Sequence, residues 1–184
     1  MFKRYPAPSR RAIFYAREAA LHAGATHIDS THLLSGLMRE QTSRANGSFK
    51  LDERFPEEAA RMRALNRASE QKDIPLAHDG KRVLAYAEEE ANNLESYWID
   101  TDHLILGMLR ERKCAAAARL EESGLNIAEA RKLVQSPSQP REIYGPIPAL
   151  WQLSKPITRV GHFAGMFYLL IVALLIMFLA GKGC

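Results

Sequence analysis

One constant offset organises most of this sequence. Arg11, Tyr15, Ala16, Glu18, Ala20, Ile28, Asp29, His32, Leu33, Gly36, Arg39 and Glu40 each recur 71 positions later, as Arg82, Tyr86, Ala87, Glu89, Ala91, Ile99, Asp100, His103, Leu104, Gly107, Arg110 and Glu111. No gap is needed between residues 10–40 and 81–111, and core-type positions change conservatively: Ile13 to Leu84, Leu34 to Ile105, Leu37 to Met108. Chance does not produce such a register, so the unit is duplicated. The period is longer than those of common solenoid repeats, and two copies predict a pseudo-symmetric pair rather than an array.

The unit reads as helices. Ala12, Ile13, Ala16, Ala19, Ala20 and Ala23 fall on one side at three- and four-residue steps. Gly24 supplies a stop. Ser30 reads as the N-cap of a second helix carrying Leu33, Leu34, Leu37 and Met38 on one face. In the second copy Val83, Leu84, Ala87, Ala91 and Leu94 form the first stripe. Thr101 reads as the next cap, before Leu104, Ile105, Met108 and Leu109. Asp102 then falls in a first turn, where the helix dipole favours a carboxylate. Two shorter helices follow in each copy, near 113–122 and 126–134 in the second, with Gly124 ending one and Asn126 capping the other. In the first copy Pro56 starts a helix expected to run to about Ser69. Strand signals are absent. Gly36 and Gly107 fall inside helices, where glycine costs roughly 1 kcal/mol against alanine, and their presence in both copies predicts close helix contact. Each copy buries its stripes only partly, so the copies, about 1–71 and 72–135, must pack together and leave a groove at their pseudo-twofold junction. The N-termini at Ser30 and Thr101 are expected there, offering free backbone N–H groups to a bound peptide.

The C-terminal part has a different character. From Phe163 to Gly181 no residue is charged, a length of about 28 Å as helix, which matches a bilayer core. A buried core helix of that length would need a second layer of protein around it. The reading is one transmembrane helix over 163–181, inserted after translation as a tail anchor because only Lys182-Gly183-Cys184 follow. Lys155 and Arg159 on one flank against Lys182 on the other place the large domain in the cytoplasm. The N-terminus, polar from Lys3 onward, has no signal-peptide core, so the expectation is a single-pass protein of a bacterial inner membrane. Gly161 and Gly165 have the spacing that permits a homodimer contact. Residues 136–162 carry Pro137, Pro140, Pro146, Pro148 and Pro156, which excludes a continuous helix and predicts a stiff, extended linker. Trp151 has two readings, a place at the membrane interface or packing on the domain.

Charge and chemistry narrow the function. The net charge is +4, with both signs interleaved, so no nucleic-acid surface is indicated. Cys114 and Cys184 have neither disulfide-framework nor metal spacing, and Cys184 is misplaced for prenylation. His32 and His103 follow Asp29 and Asp100 by three residues. They read as parts of a capped loop, because a metal site needs three or four convergent ligands. Ser30 beside His32 is likewise a cap and its neighbour, not a catalytic dyad. No GxxxxGK[ST] phosphate loop occurs. Neither catalytic residues, metal nor cofactor is expected, and the protein is read as a non-enzyme.

The segments Ile28-Asp29-Ser30-Thr31-His32-Leu33-Leu34-Ser35-Gly36-Leu37 and Ile99-Asp100-Thr101-Asp102-His103-Leu104-Ile105-Leu106-Gly107-Met108 resemble the I-G-T-E-H-L-L-L-G-L signature of the Clp repeat. That unit occurs twice in the N-terminal domain of Clp-type AAA+ unfoldases. Residues 10–19 resemble its first helix and residues 116–125 its third. The resemblance covers about residues 1–134 and implies an all-α bundle of about eight helices, two pseudo-symmetric repeats of four. It also implies a module that receives substrates and adaptor proteins. The expected partners are therefore proteins or unfolded peptides, a Clp-type unfoldase or adaptor among them, and the candidate contact residues are Ser30, Thr31, Thr101 and Asp102. In some relatives the acid of T-E-H contacts phosphorylated arginine. Here the two positions are Thr31 and the shorter acid Asp102, so that recognition is not carried over. The alternative is a structural or regulatory membrane protein that reuses the fold without a protease link.

Overall fold

The structure, a computed structural model, describes residues 2–66 and 73–135. The described residues all belong to one compact unit, within Met1–Pro146. The linker, the 163–181 segment and the Gly161/Gly165 pair lie outside the described residues.

The helices are α1 (Ala7–His22), α2 (Ser30–Arg39), α3 (Arg44–Phe49), α4 (Leu51–Arg54), α5 (Pro56–Ala64), α6 (His78–Asn93), α7 (Thr101–Arg110), α8 (Ala115–Glu122) and α9 (Ile127–Gln135). The offset of 71 maps α1 onto α6, α2 onto α7 and α5 onto α9 end to end, and the start of α3 onto the start of α8. The duplication therefore extends well past the stretch where the two copies share obvious sequence identity. Two expectations are corrected. Nine helical segments, not about eight, lie among the described residues, because Lys50 adopts a left-handed conformation (φ 52°) and splits α3 from α4. Asn46 secures that break: its side chain accepts from the Asp52 N–H (3.2 Å) and donates to the Asp52 carboxylate (3.0 Å). Arg54 then donates to the Phe49 carbonyl at the end of α3 (2.8 Å). The second correction is that α5 ends at Ala64, before Ser69.

The caps also differ from expectation. The N-caps of α2 and α7 are Asp29 and Asp100, both extended, while Ser30 and Thr101 are the first helical residues. The Asp29 carboxylate accepts from the N–H groups of Thr31 (2.9 Å) and His32 (3.0 Å). In return the His32 Nδ1 accepts from the Asp29 N–H, and His103 does the same for Asp100 (2.9 Å). These are capping boxes in which histidine replaces the usual Glu or Gln, which accounts for the recurring D-x-x-H.

Helices α2 and α7 form the centre, each crossed by the first helix of its own copy. Leu34, Leu37, Met38, Ile105, Leu106 and Met108 are fully buried. Gly36 and Gly107 set how closely the helices approach. A Cβ at Gly36 would lie 2.1 Å from the Ala12 carbonyl oxygen, and one at Gly107 would lie 2.4 Å from that of Val83. The expected close contact is thus backbone against helix backbone, at equivalent places in both copies. Arg11 with Glu40 (2.7 Å) and Arg82 with Glu111 (2.6 Å) close the same pairs at their edges. Arg39 covers the Tyr15 ring and Arg110 covers that of Tyr86, at 4.6 and 4.7 Å.

The copies are joined by reciprocal backbone bonds. The Ile99 N–H donates to the Arg4 carbonyl and the Ile28 N–H to the Pro75 carbonyl, both at 2.8 Å. Donors and acceptors are again related by the offset of 71. The segment leading into each first helix thus crosses to the other copy. On one side the Ala77 N–H adds a second bond to the Ile28 carbonyl (2.8 Å), which makes an isolated parallel β-bridge between Ile28 and Leu76. Its counterpart on the other side would be Pro6, which has no N–H to give. Among the described residues this is the one β-bridge.

Candidate peptide-binding groove

Of the four residues singled out from the sequence, Ser30, Thr101 and Asp102 have no exposed surface. Only Thr31 keeps some, with its hydroxyl donating to Asp29 (2.6 Å). The two N-termini do lie at equivalent places, but their N–H groups are occupied. Ser30 N–H donates to Asp79 (3.0 Å), Thr31 and His32 N–H to Asp29, and Thr101 N–H to Asp100 (2.7 Å). The expectation of free donors is therefore corrected: acidic side chains one residue upstream, and Asp79 from the other copy, reach them first. The hydroxyls act between copies. Ser30 Oγ accepts from the Ala116 N–H of α8 (3.4 Å), and Thr101 Oγ1 from the Ala45 N–H of α3 (3.1 Å). Each copy thus helps to cap the third helix of the other.

Asp102 is held in an uneven environment. One oxygen lies 3.2 Å from Arg44 and 3.5 Å from the Ser48 hydroxyl, while the other has no partner. Asp100 stands on the far side of the same guanidinium, at 3.8 Å. Burial pushes the Asp102 carboxyl up to about 7; Arg44 pulls it down and Asp100 pushes it further up. Desolvation, not the helix dipole, decides its state. The folded protein then retains a proton that the unfolded chain releases at lower pH, so stability must fall as pH rises between the ordinary carboxylate range and about 7. The slope approaches about 1 kcal/mol per pH unit in that window. Urea unfolding at pH 5, 6 and 7 should show this decline, and Asp102→Asn should flatten it. Carboxylates held low work in the opposite sense and at lower pH. At Glu58 the hydrogen bond from Arg119 outweighs burial. At Glu40 burial is outweighed by the bonds from Arg11 and Thr42, and at Asp29 by those from Thr31 and His32.

The open surface at the junction lies instead on the side of α1 and α6. A cleft of about 390 Å³ is lined by Phe2, Arg10, Ile13, Phe14, Arg17, Ile28, Ile74 and Leu76. A second, of about 210 Å³, is lined by Phe2, Tyr5, Leu76, Lys81, Leu84, Ala85 and Glu88. The offset relates them: Arg10 to Lys81, Ile13 to Leu84, Phe14 to Ala85, Arg17 to Glu88 and Tyr5 to Leu76. Both clefts are bordered by Phe2 and Leu76, which the crossing segments carry. Phe14 is the one large apolar side chain exposed among the described residues, at 39%. Sequence reasoning expected a junction groove but not these residues. The available signal was Phe14 on the otherwise polar face of α1, where the second copy has alanine.

The family model for the Clp repeat (R) N-terminal domain matches residues 4–123 and again 76–146. The chain belongs to this family. Among curated relatives, the chaperone protein ClpB of Oceanobacillus iheyensis is 28% identical over 138 residues, and the negative regulator of genetic competence ClpC/MecB of Bacillus subtilis is 28% identical over 139. Each match takes in 73% of this chain but 17% of the relative's length. The ClpA homolog of the Clp protease ATP-binding subunit from Guillardia theta is 32% identical over the same shares. Among solved structures, the N-terminal domain of ClpD from Arabidopsis thaliana superposes with a TM-score of 0.55 at 22% identity, covering 73% of this chain and all of that one. That likeness supports the all-helical Clp N fold. In this Clp N domain the fold is built with the repeated D-x-x-H capping box, the paired glycines and the crossing segments.

Proposed function

We propose that this Clp N domain is a non-enzymatic receiving module, which binds protein segments in the α1/α6 groove and is held at a membrane by residues 163–181. The observation that carries the reading is the pair of neighbouring, largely apolar clefts on the α1/α6 side, both bordered by Phe2 and Leu76, with Phe14 exposed in the larger one. Buried apolar surface with a polar surround is the usual basis of protein recognition. Family membership supports protein partners, and the likeness to part of a chaperone and of an ATP-binding subunit of a Clp protease supports a reading in protein quality control. The linker would keep the module near the bilayer, where a high local concentration offsets weak individual contacts.

The test is fluorescence anisotropy with a reduced, carboxymethylated unfolded protein and the full chain in mild detergent. Binding is expected in the micromolar range, about −8 kcal/mol. Phe14→Ser, an exposed substitution, should weaken it about tenfold with little change in stability. Unchanged binding by Phe14→Ser, or none at millimolar concentration, would reject the groove.

A further inference from the structure

The sequence has one Asn-Gly pair, Asn46-Gly47, and the fold puts it in α3, just before the corner with α4. With no side chain beside it, a glycine nitrogen is poorly shielded and its backbone turns freely. Next to asparagine it can attack the side-chain amide carbon, an intramolecular reaction that proximity strongly favours. Gly47 is exposed, and a Cβ built on it would meet nothing within 4 Å. Ring closure and the entry of water both have room there. The Asp-Gly pair, Asp79-Gly80, is the contrast. Gly80 is buried, with the Ile28 carbonyl oxygen 2.8 Å from its would-be Cβ, and the Asp79 carboxylate accepts from the N–H groups of Ser30 (3.0 Å) and Gly80 (2.8 Å).

Two features oppose the attack while α3 is closed. The helical backbone fixes the Gly47 nitrogen, and Asp52 holds the Asn46 side chain at both ends. The Asn46 amide oxygen accepts from the Asp52 N–H (3.2 Å), and its nitrogen donates to the Asp52 carboxylate (3.0 Å). Arg63 pairs with the same carboxylate. The helix itself is a weak guard. It is six residues long and ends at the left-handed Lys50. So short a helix is marginal by itself, and a glycine within it costs about 1 kcal/mol. Ala45 and Phe49 anchor it in the core, so the part that opens is the exposed turn at Asn46-Gly47.

We propose that Asn46 is a deamidation site, gated by the Asp52 clamp and by local opening of α3. In the open turn the Gly47 nitrogen bonds to Asn46 Cγ, the C–N bond to the side-chain NH2 breaks, and ammonia leaves with the proton of the Gly47 nitrogen. Solvent water then opens the succinimide ring. Attack at Cγ leaves aspartate, and attack at the backbone carbonyl carbon leaves isoaspartate. The net change is gain of water and loss of ammonia. Either product sets a carboxylate where an amide had donated to Asp52, and the two like charges repel. Isoaspartate also lengthens the main chain by one carbon. The α3–α4 corner is thereby loosened irreversibly.

The test holds the full chain in mild detergent for days at mildly alkaline pH and reads each asparagine by tandem mass spectrometry. Conversion to aspartate and isoaspartate is expected at Asn46 and not at Asn92 or Asn126. Gly47→Ala should abolish it. Asp52→Ala removes the clamp and should raise the rate severalfold. Arg63→Ala loses the same ion pair but keeps the clamp, and should convert like the unaltered chain. Hydrogen–deuterium exchange over residues 44–54 should be faster in the converted protein and in Asn46→Asp. An Asn46 that converts in urea but not in the folded chain overturns the site. Equal rates with and without Asp52, or an equal rise in Arg63→Ala, overturn the gate. Unchanged exchange over 44–54 after conversion overturns the loosening.

Discussion

Gly36→Ala and Gly107→Ala are each expected to destabilise the domain by about 3 kcal/mol or more, although alanine is the better helix former. By propensity alone either change would gain about 1 kcal/mol. Against that, the new methyl group at position 36 would meet the Ala12 carbonyl oxygen at 2.1 Å and the Ala16 backbone nitrogen at 2.7 Å. At position 107 it would meet the Val83 oxygen at 2.4 Å and the Ala87 nitrogen at 2.8 Å. All four atoms are backbone, so no rotamer change relieves the contact, and α1 must part from α2, or α6 from α7. Those seams are lined by Ala12, Ala16, Ala20, Val83, Ala87 and Ala91, all buried; separating them opens voids in the core. Gly47 is the control: it lies in α3 with nothing within 4 Å of its would-be Cβ, so Gly47→Ala should be neutral or mildly stabilising. Urea unfolding of the four proteins decides it. Similar losses at 36 and 107 with none at 47 follow from the duplicated seam; a gain at 36 or 107 would contradict it.

The second large effect concerns the membrane. Nineteen uncharged residues from Phe163 to Gly181, rich in Leu, Ile, Phe and Met, favour the bilayer strongly enough that association should be all-or-none. After alkaline carbonate extraction the full chain should stay in the pellet, and a chain shortened to residues 1–135 should appear in the supernatant. Introducing charge at the centre of the segment, Leu170→Arg with Val172→Arg, should release the full chain as well, since each arginine there costs about 3 kcal/mol. Release of the unaltered chain would exclude the tether.

The sequence revealed the fold in proportion to how directly each feature follows from side-chain pattern. The apolar stripes placed α1, α2, α6 and α7, and Gly124 and Asn126 marked the turn between α8 and α9; the structure has Gly124 at φ 84° and Asn126 bonded to the Glu129 N–H. Two features escaped. The break at Lys50 arises because a lysine takes a left-handed conformation usually filled by glycine, with side-chain bonds of Asn46, Asp52 and Arg54 around it that hydrophobic periodicity does not report. Ser30 and Thr101 are good N-cap residues by type, yet Asp29 and Asp100 are equally good and the returning bond from histidine decides between them. That choice had a functional consequence. With the hydroxyls turned inward to the other copy, the N-termini are sealed, and the open groove moves to the α1/α6 side. The crossing segments that build this groove depend on backbone bonds between residues 95 and 47 positions apart, Arg4 to Ile99 and Ile28 to Pro75, which side-chain periodicity does not report.

Hydrogen–deuterium exchange of the full chain in mild detergent, with and without a saturating unfolded peptide, tests the account most directly. Binding in the groove predicts slower exchange in the crossing segments and the starts of the first helices, residues 2–17 and 74–88, with the far side of the domain at α5 and α9 unchanged. Protection confined to α5 and α9, or no protection anywhere at millimolar peptide, would contradict it.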